Sequence, residues 1–439
     1  MTKKIIGIII AAFMILSLAA CGVAKTSDNG SVETLSTAHG GSSQIESQSS
    51  QSSSNDSSTA SANVSSSGAI DATDLFTDRD MKQTADTSEA TNYSLSDGKD
   101  ITITSAGVYV FSGSAENATI IVDAGDDDKV QIVLDSVTIT NDDFPAIYVK
   151  NADKTFVTTT GSTSTLTVSG SFKSDGNTNT DAVIFSKDDL VLNGTGTLKI
   201  SSTDNGITSK DDLKVTGGTI IIDCTSDALE ANDSIAIAGG DITITTQKDG
   251  LHAENDDDNT KGYVYICGGT FNITATSDGI QGTTVVQIDD GIFSISAREC
   301  IEGTYIQING GTLDLTASDD GLNASNKSKA YTPTIEINGG DITIDMGQGD
   351  TDAVDSNGYL YVNGGTINIS AQFAFDFENS AEYNGGTIIV NGEQITEITN
   401  SMFGGGGGFG GPMSGGFQGG PGGMNDGNQG GFGGPGGRP

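Results

Sequence analysis

From Ile101 onward, apolar residues alternate with polar ones in short bursts: Ile101 and Ile103, Val108 and Val110, Ile120 and Val122, Val137 and Ile139. A two-residue period over a few positions predicts β-strands, and the Gly, Asn and Asp between the bursts predict tight turns. No stretch of ten or more residues in this part has helical spacing. Between Thr195 and Ile388 the pattern becomes a repeat: two alternating apolars, Gly-Gly-Thr, two more alternating apolars, then Asp-Gly-Ile or a near copy. The second Gly of each copy falls at 196, 218, 240, 269, 291, 311, 340, 365 and 386, with spacings of 22, 22, 29, 22, 20, 29, 25 and 21. So regular a period predicts a solenoid, in which each copy buries its apolar face only by stacking on its neighbours.

One copy can be decoded in full. Leu213 and Val215 point inward, two glycines turn a corner, and Ile220 and Ile222 point inward again. The same inward set recurs as Ile266, Phe271 and Ile273, as Ile308, Leu313 and Leu315, and as Val362, Ile367 and Ile369. Three short strands per copy predict an all-β fold, a right-handed parallel β-helix, of ~13 rungs at ~4.8 Å each and roughly 60 Å in length.

Aligning the copies on the third strand turns scattered acids into a file. The first position reads Asp181, Asn205, Asp227, Asp249, Asp278, Glu299, Asp320, Asp352 and Phe375. Three residues later stand Ile184, Thr208, Glu230, His252, Gln281, Glu302, Asn323, Asp355 and Glu378. Carboxylates stacked ~5 Å apart repel and raise one another's pKa unless a cation lies between them. Calcium suits such a gap, because it takes six to eight oxygen ligands. The expected metal ligands are therefore Asp181, Asp227, Glu230, Asp249, Asp278, Glu299, Glu302, Asp320, Asp352 and Asp355. The plainer alternative is that stacked Asp and Asn only bond backbone N–H groups at a corner.

The long spacings mark insertions at Glu254 to Gly262 and Asn326 to Pro333, both leaving the stack at the same corner, with a smaller excess near Gly347 to Asp350. Insertions on one face commonly build a binding surface. The outward position before Gly-Gly reads Lys214, Ala236, Tyr265, Gln287, Gln307, Glu336 and Tyr361. Tyr265, Tyr361 and the inserted Tyr331 are candidate platforms for sugar rings. Arg298, the one Arg inside the stack, is a candidate for contacting an acidic sugar or for balancing charge.

Composition narrows the partners. The formal net charge of −38 argues against nucleic acid and anionic lipid surfaces. Lys3 and Lys4, the apolar run from Ile5 to Leu16, and Leu18-Ala19-Ala20-Cys21 form a secretory signal with a lipoprotein-type cleavage site. That predicts a signal peptide over 1–20, a lipid on Cys21, and a mature chain anchored to a membrane outside the cell. Residues 21–74 are Ser-rich and read as a disordered linker; 75–400 hold the repeats, and 401–439 are a Gly-rich tail too poor in apolar residues to pack.

The run Val130 to Val137, the run Pro145 to Asp153, and Ser186-Lys-Asp-Asp-Leu190 carry a resemblance. With the repeats, Ser-rich tether and Gly-rich tail, they resemble the bacterial carbohydrate-binding domain-containing lipoproteins over roughly residues 75 to 400. The resemblance implies a right-handed parallel β-helix that binds calcium and plant-type polysaccharides, with cellulose and acidic pectin-like sugars such as polygalacturonate as the class. The expected protein is a binder, not an enzyme. A calcium-dependent pectate-lyase-like enzyme with Arg298 as base, and a purely adhesive or structural surface protein, are the alternatives. Asp319-Asp320 resembles one polygalacturonase element, but the Gly-His-Gly and Arg-x-Lys partners of that family are missing.

Overall fold

The computed structural model describes residues 69–347 and 351–401. The expected signal peptide, Cys21, nearly all of the Ser-rich linker and all but the first residue of the Gly-rich tail lie outside the described residues. Within them the chain is all-β, without helices.

The strands fall into three parallel ladders, each strand pairing with its counterpart in the next copy. The first ladder holds the strand before Gly-Gly: Lys154–Thr159 pairs with Asp189–Gly194, that with Asp212–Val215, and that with Ser234–Ile237. Its inward positions stack as Leu190, Leu213, Ile235, Val264, Val286, Ile306, Ile335 and Leu360. The second ladder holds the strand after Gly-Gly, such as Thr219–Cys224 on Asp241–Thr246. In its core Phe271 and Phe293 stack face to face, 4.5 Å apart. The third ladder holds the Asp-Gly-Ile strands, among them Leu229–Ala231 on Leu251–Ala253. Side chains alternate across each strand, so aliphatic residues in register fill the interior and polar ones face out. The inward residues read from the sequence are all buried.

The glycine corner has a steric cause. From Gly218 onward the second Gly of each pair holds a positive φ, for example +83° at Gly365, where a Cβ would stand 2.9 Å from the Gly339 backbone. In the first copy this role passes to Gly194, at +124°.

A strap lies across the outward face of the first ladder and begins earlier than the expected boundary at 75. Ile70 and Leu75 are buried, and they pack with Tyr263, Tyr265, Cys267 and Val285. The strap crosses rungs in turn. The Ile70 N–H donates to Gln287 Oε1 at 2.6 Å, Lys214 Nζ donates to the Leu75 carbonyl at 2.9 Å, and Asn193 and Thr216 both donate to the Asp80 carbonyl. Toward its end, Arg79 lies 4.3 Å over the Phe156 ring, and the Gly194 N–H donates to Gln83 Oε1. At the other end of the described fold, Glu393–Gln394 pairs antiparallel with Thr387–Val390.

Candidate functional site

Two surfaces gather the candidate residues. The first is the outward face of the first ladder where the strap has ended. Its strands put alternate residues outward, so Tyr305 and Gln307 share a face, as do Tyr359 and Tyr361. Pairing then sets Gln307 beside Glu336 and Glu336 beside Tyr361. The insertion at 326–333 folds over one edge and adds Ala330, Tyr331 and Thr332. Together these residues, with Thr334 and Asn363, line a groove of about 640 Å³. The Tyr359 and Tyr361 rings are nearly parallel at 6.0 Å, and Tyr331 meets Tyr305 edge-on at 6.3 Å. At the floor, Glu336 Oε2 accepts from the Tyr305 hydroxyl at 2.6 Å and from Gln307 Nε2 at 2.9 Å. Burial, and then the hydrogen bond to Glu336, raise the Tyr305 pKa, so the phenol stays a donor.

An amide ladder runs along the rim. Asn384 donates to Asn363, Asn363 to Asn338, Asn338 to Asn309 and Asn309 to Asp289, each at 2.7–2.9 Å. Of the three candidate tyrosines, Tyr331 and Tyr361 line the groove. Tyr265 does not, which corrects its reading as an exposed ring. It is 3% exposed beneath the strap, with Phe76 against it and its hydroxyl on Asp289 at 2.7 Å. Tyr305 and Tyr359 were not anticipated. They stand two residues before Gln307 and Tyr361 on the same strand faces, and the two-residue strand period is the sequence signal that points to them.

The second surface is the outward file of the third ladder. In its middle the expected register holds: Glu230, His252, Gln281, Glu302, Asn323 and Asp355 stack in order. At both ends it is corrected. Asn205 pairs with Ala182, which leaves Asp181 one residue out of file. Asp355 pairs with Asp376 instead of with Glu378, because Phe375 turns inward beside Val354.

Part of the file bonds backbone, as the plainer reading holds. Asp227 N–H donates to Asn205, Asp249 N–H to Asp227, Asp278 N–H to Asp249 and Asp352 N–H to Asp320. Several acids also have cations of the chain itself. Lys248 lies 2.6 Å from Asp227 and His252 3.2 Å from it; although burial works against its charge, they hold Asp227 below the ordinary carboxyl range. Lys210 reaches Glu230 at 3.4 Å and Lys327 reaches Glu302 at 2.8 Å. Arg298 spans Asp278, Glu299 and Asp319 at 3.3, 2.5 and 2.6 Å. Oxygens of Asp278, Glu299 and Glu302, and those of Glu299, Asp319 and Asp320, converge within 4.8 Å of one another.

Further along, among the described residues, no ion pair reaches Asp320 or Asp355. Burial, and then Asp355, push the Asp320 pKa to about 8; burial, and then Asp376, push Asp355 to about 7. Between them Asn323 donates to Glu299 at 2.8 Å, while its buried Oδ1 has no hydrogen-bond partner. Burial, and then Glu302 beside it, lift Asp278 to about 8, and burial lifts Asp181 to about 6 despite Lys210.

These shifts have a sign. Folded pKa values above the unfolded carboxyl value of about 3.9 mean that the folded state binds more protons. The stability they contribute is fully present below about pH 4 and is lost as pH rises through 6 to 8. In chelator, the thermal midpoint is expected to fall between pH 5 and pH 8.5. A midpoint that is flat or climbs across that range would contradict the protonated-acid description.

A family model described as "Carbohydrate-binding domain-containing protein" matches residues 97–353 and 301–403. A protein of Acetivibrio thermocellus with the same description is 44% identical over 202 residues, which are 45% of this chain and 71% of that one. A solved structure described as that of "the polysaccharide lyase-like protein from C. thermocellum, Gadolinium derivative" aligns with a TM-score of 0.43 and 30% identity. It covers 50% of this chain and 92% of its own.

Proposed function

Since the chain belongs to the carbohydrate-binding domain-containing protein family, we propose that it binds polysaccharide in the tyrosine-lined groove. One observation carries this: four half-buried tyrosines surround a carboxylate that two neighbouring side chains hold in place. Aromatic faces pack on the C–H faces of sugar rings, and fixed polar atoms between them set orientation. The in-register ladders support a right-handed parallel β-helix as the scaffold, since crossovers between parallel strands are overwhelmingly right-handed.

Calcium on the third ladder is the second element of the reading. Asp320, Asp355 and Asn323 Oδ1 offer the oxygen donors a hard cation takes, and burial together with neighbouring carboxylates raises the pKa of the two acids. Calcium there would offer open coordination positions to uronate carboxylates of pectin-type sugars. Arg298 and Lys327 hold the neighbouring acids in fixed positions beside it. The protein is read as a binder and not a lyase. Although burial disfavours its charge, Glu299 and Asp278 outweigh that and keep Arg298 protonated, which suits charge balance better than proton abstraction. A lipid on Cys21 and the Ser-rich segment would hold these surfaces outside the cell, facing the polymer.

Pull-down on cellulose and on polygalacturonate, with and without chelator, tests both parts. Retention on cellulose should survive complete calcium removal, and retention on polygalacturonate should not. Equal retention on polygalacturonate in chelator would overturn the calcium element. No retention on either polymer would overturn polysaccharide binding itself.

A further inference from the structure

The groove's chemistry is one-sided. Among its ten lining residues the single charged side chain is Glu336, and there is no Lys, Arg or His. The rungs on either side add acids to the same face: Asp289 lies upstream, against Tyr265 and Asn309, and Glu382 pairs with Tyr361 downstream. The nearest cation in the sequence of the overhanging insertion, Lys329, is exposed to solvent.

The Glu336 carboxylate is fixed, not free to swing away. Tyr305 and Gln307 donate to the same oxygen, Oε2. That leaves Oε1 to accept a hydrogen bond from a ligand. Sugar hydroxyls are donors and satisfy it. A uronate carboxylate has no proton to offer at neutral pH and would meet a like charge across a half-buried groove, where screening is weaker than in open water.

We propose that Glu336 is the specificity-determining residue of the groove, admitting uncharged, hydroxyl-rich glycans and rejecting uronates. The inference rests on the groove being the glycan site. It implies that two polymer classes use two different ladders of the same rungs: neutral chains the first, acidic chains the third. Tyr305 and Gln307 act through Glu336 as positioning residues.

The test is calorimetric titration, in chelator, of a neutral gluco-oligosaccharide and an oligogalacturonide of equal length. Wild type should bind the neutral sugar at least roughly tenfold more tightly. Glu336→Gln keeps an acceptor for Tyr305, so it should narrow that ratio to within about threefold by strengthening uronate binding. Added salt should raise uronate affinity more in wild type than in Glu336→Gln, where only the repulsion of the flanking acids Asp289 and Glu382 remains. If wild type binds both sugars alike, or if Glu336→Gln leaves the ratio where it was, the assignment to Glu336 is wrong while glycan binding in the groove stands. If neither sugar binds wild type, the groove reading itself fails, and the two failures are distinct.

Discussion

Replacing Lys154 by Met is expected to cost about 3–5 kcal/mol, the range for removing one partner of a buried ion pair. Lys154 is 8% exposed and its Nζ stands between Asp189 at 3.3 Å and Asp80 at 3.7 Å. Burial opposes its charge, yet the two acids outweigh burial and raise its pKa. Asp80 has no access to solvent at all, and its carboxylate Oδ2 accepts a hydrogen bond from the Thr77 backbone N–H at 2.9 Å. Removing the ammonium strands two carboxylates in the interior. Because Asp80 belongs to the strap, the loss should first appear as protease cleavage between residues 69 and 90, ahead of global unfolding. The double variant Lys154→Met with Asp80→Asn should recover a substantial part of the loss in urea melts. A single variant within 0.5 kcal/mol of wild type would mean that the strap is held by its apolar contacts alone.

The second large effect concerns binding. Tyr331→Ala and Tyr361→Ala should each weaken retention on neutral polysaccharide roughly 30-fold, about 2 kcal/mol, as expected when a buried aromatic anchor is cut away. Both side chains are half-buried on the groove wall and neither is part of the main core. Thermal midpoints should therefore stay close to wild type, which separates lost contact from lost fold. Tyr265→Phe serves as the contrast: its ring is under the strap, so it should leave affinity unchanged. Affinity electrophoresis in glycan-loaded gels reads all three. Full retention by the Tyr331→Ala and Tyr361→Ala double variant would remove the groove from consideration.

Much of the scaffold was legible because it is written by short-range rules. Apolar alternation named the inward residues, the paired glycines named the corners, and breaks in the period named the insertion that became a groove wall. The middle of the acid file was legible for the same reason, since one register carries from Glu230 to Asp355. Its ends were not. Registers slip where copies diverge, as at Asp181 and at Phe375, and a slip is decided by which side chain fills the interior. The strap was illegible for a different reason. Ile70, Leu75 and Phe76 sit in a polar stretch with no period, and the hydrogen-bond partners of Leu75 and Ile70 are 139 and 217 residues away. Tyr265 reads as exposed within its own repeat because the segment that covers it, at Phe76, is remote in sequence.

The strap's path has a mechanical consequence. Its contacts are strung in series along the stack, from Gln287 at Ile70 to Lys154 at Asp80. Traction arriving through the chain ahead of Ile70 would load these contacts one after another instead of together, so the segment would unzip from its leading end at low force. The rings uncovered first would be Tyr265 and its neighbours, which border Tyr305 and Tyr331 at the groove. A load on the leading segment would therefore lengthen the aromatic track available to a polymer, while the stacked rungs beneath stay unstretched.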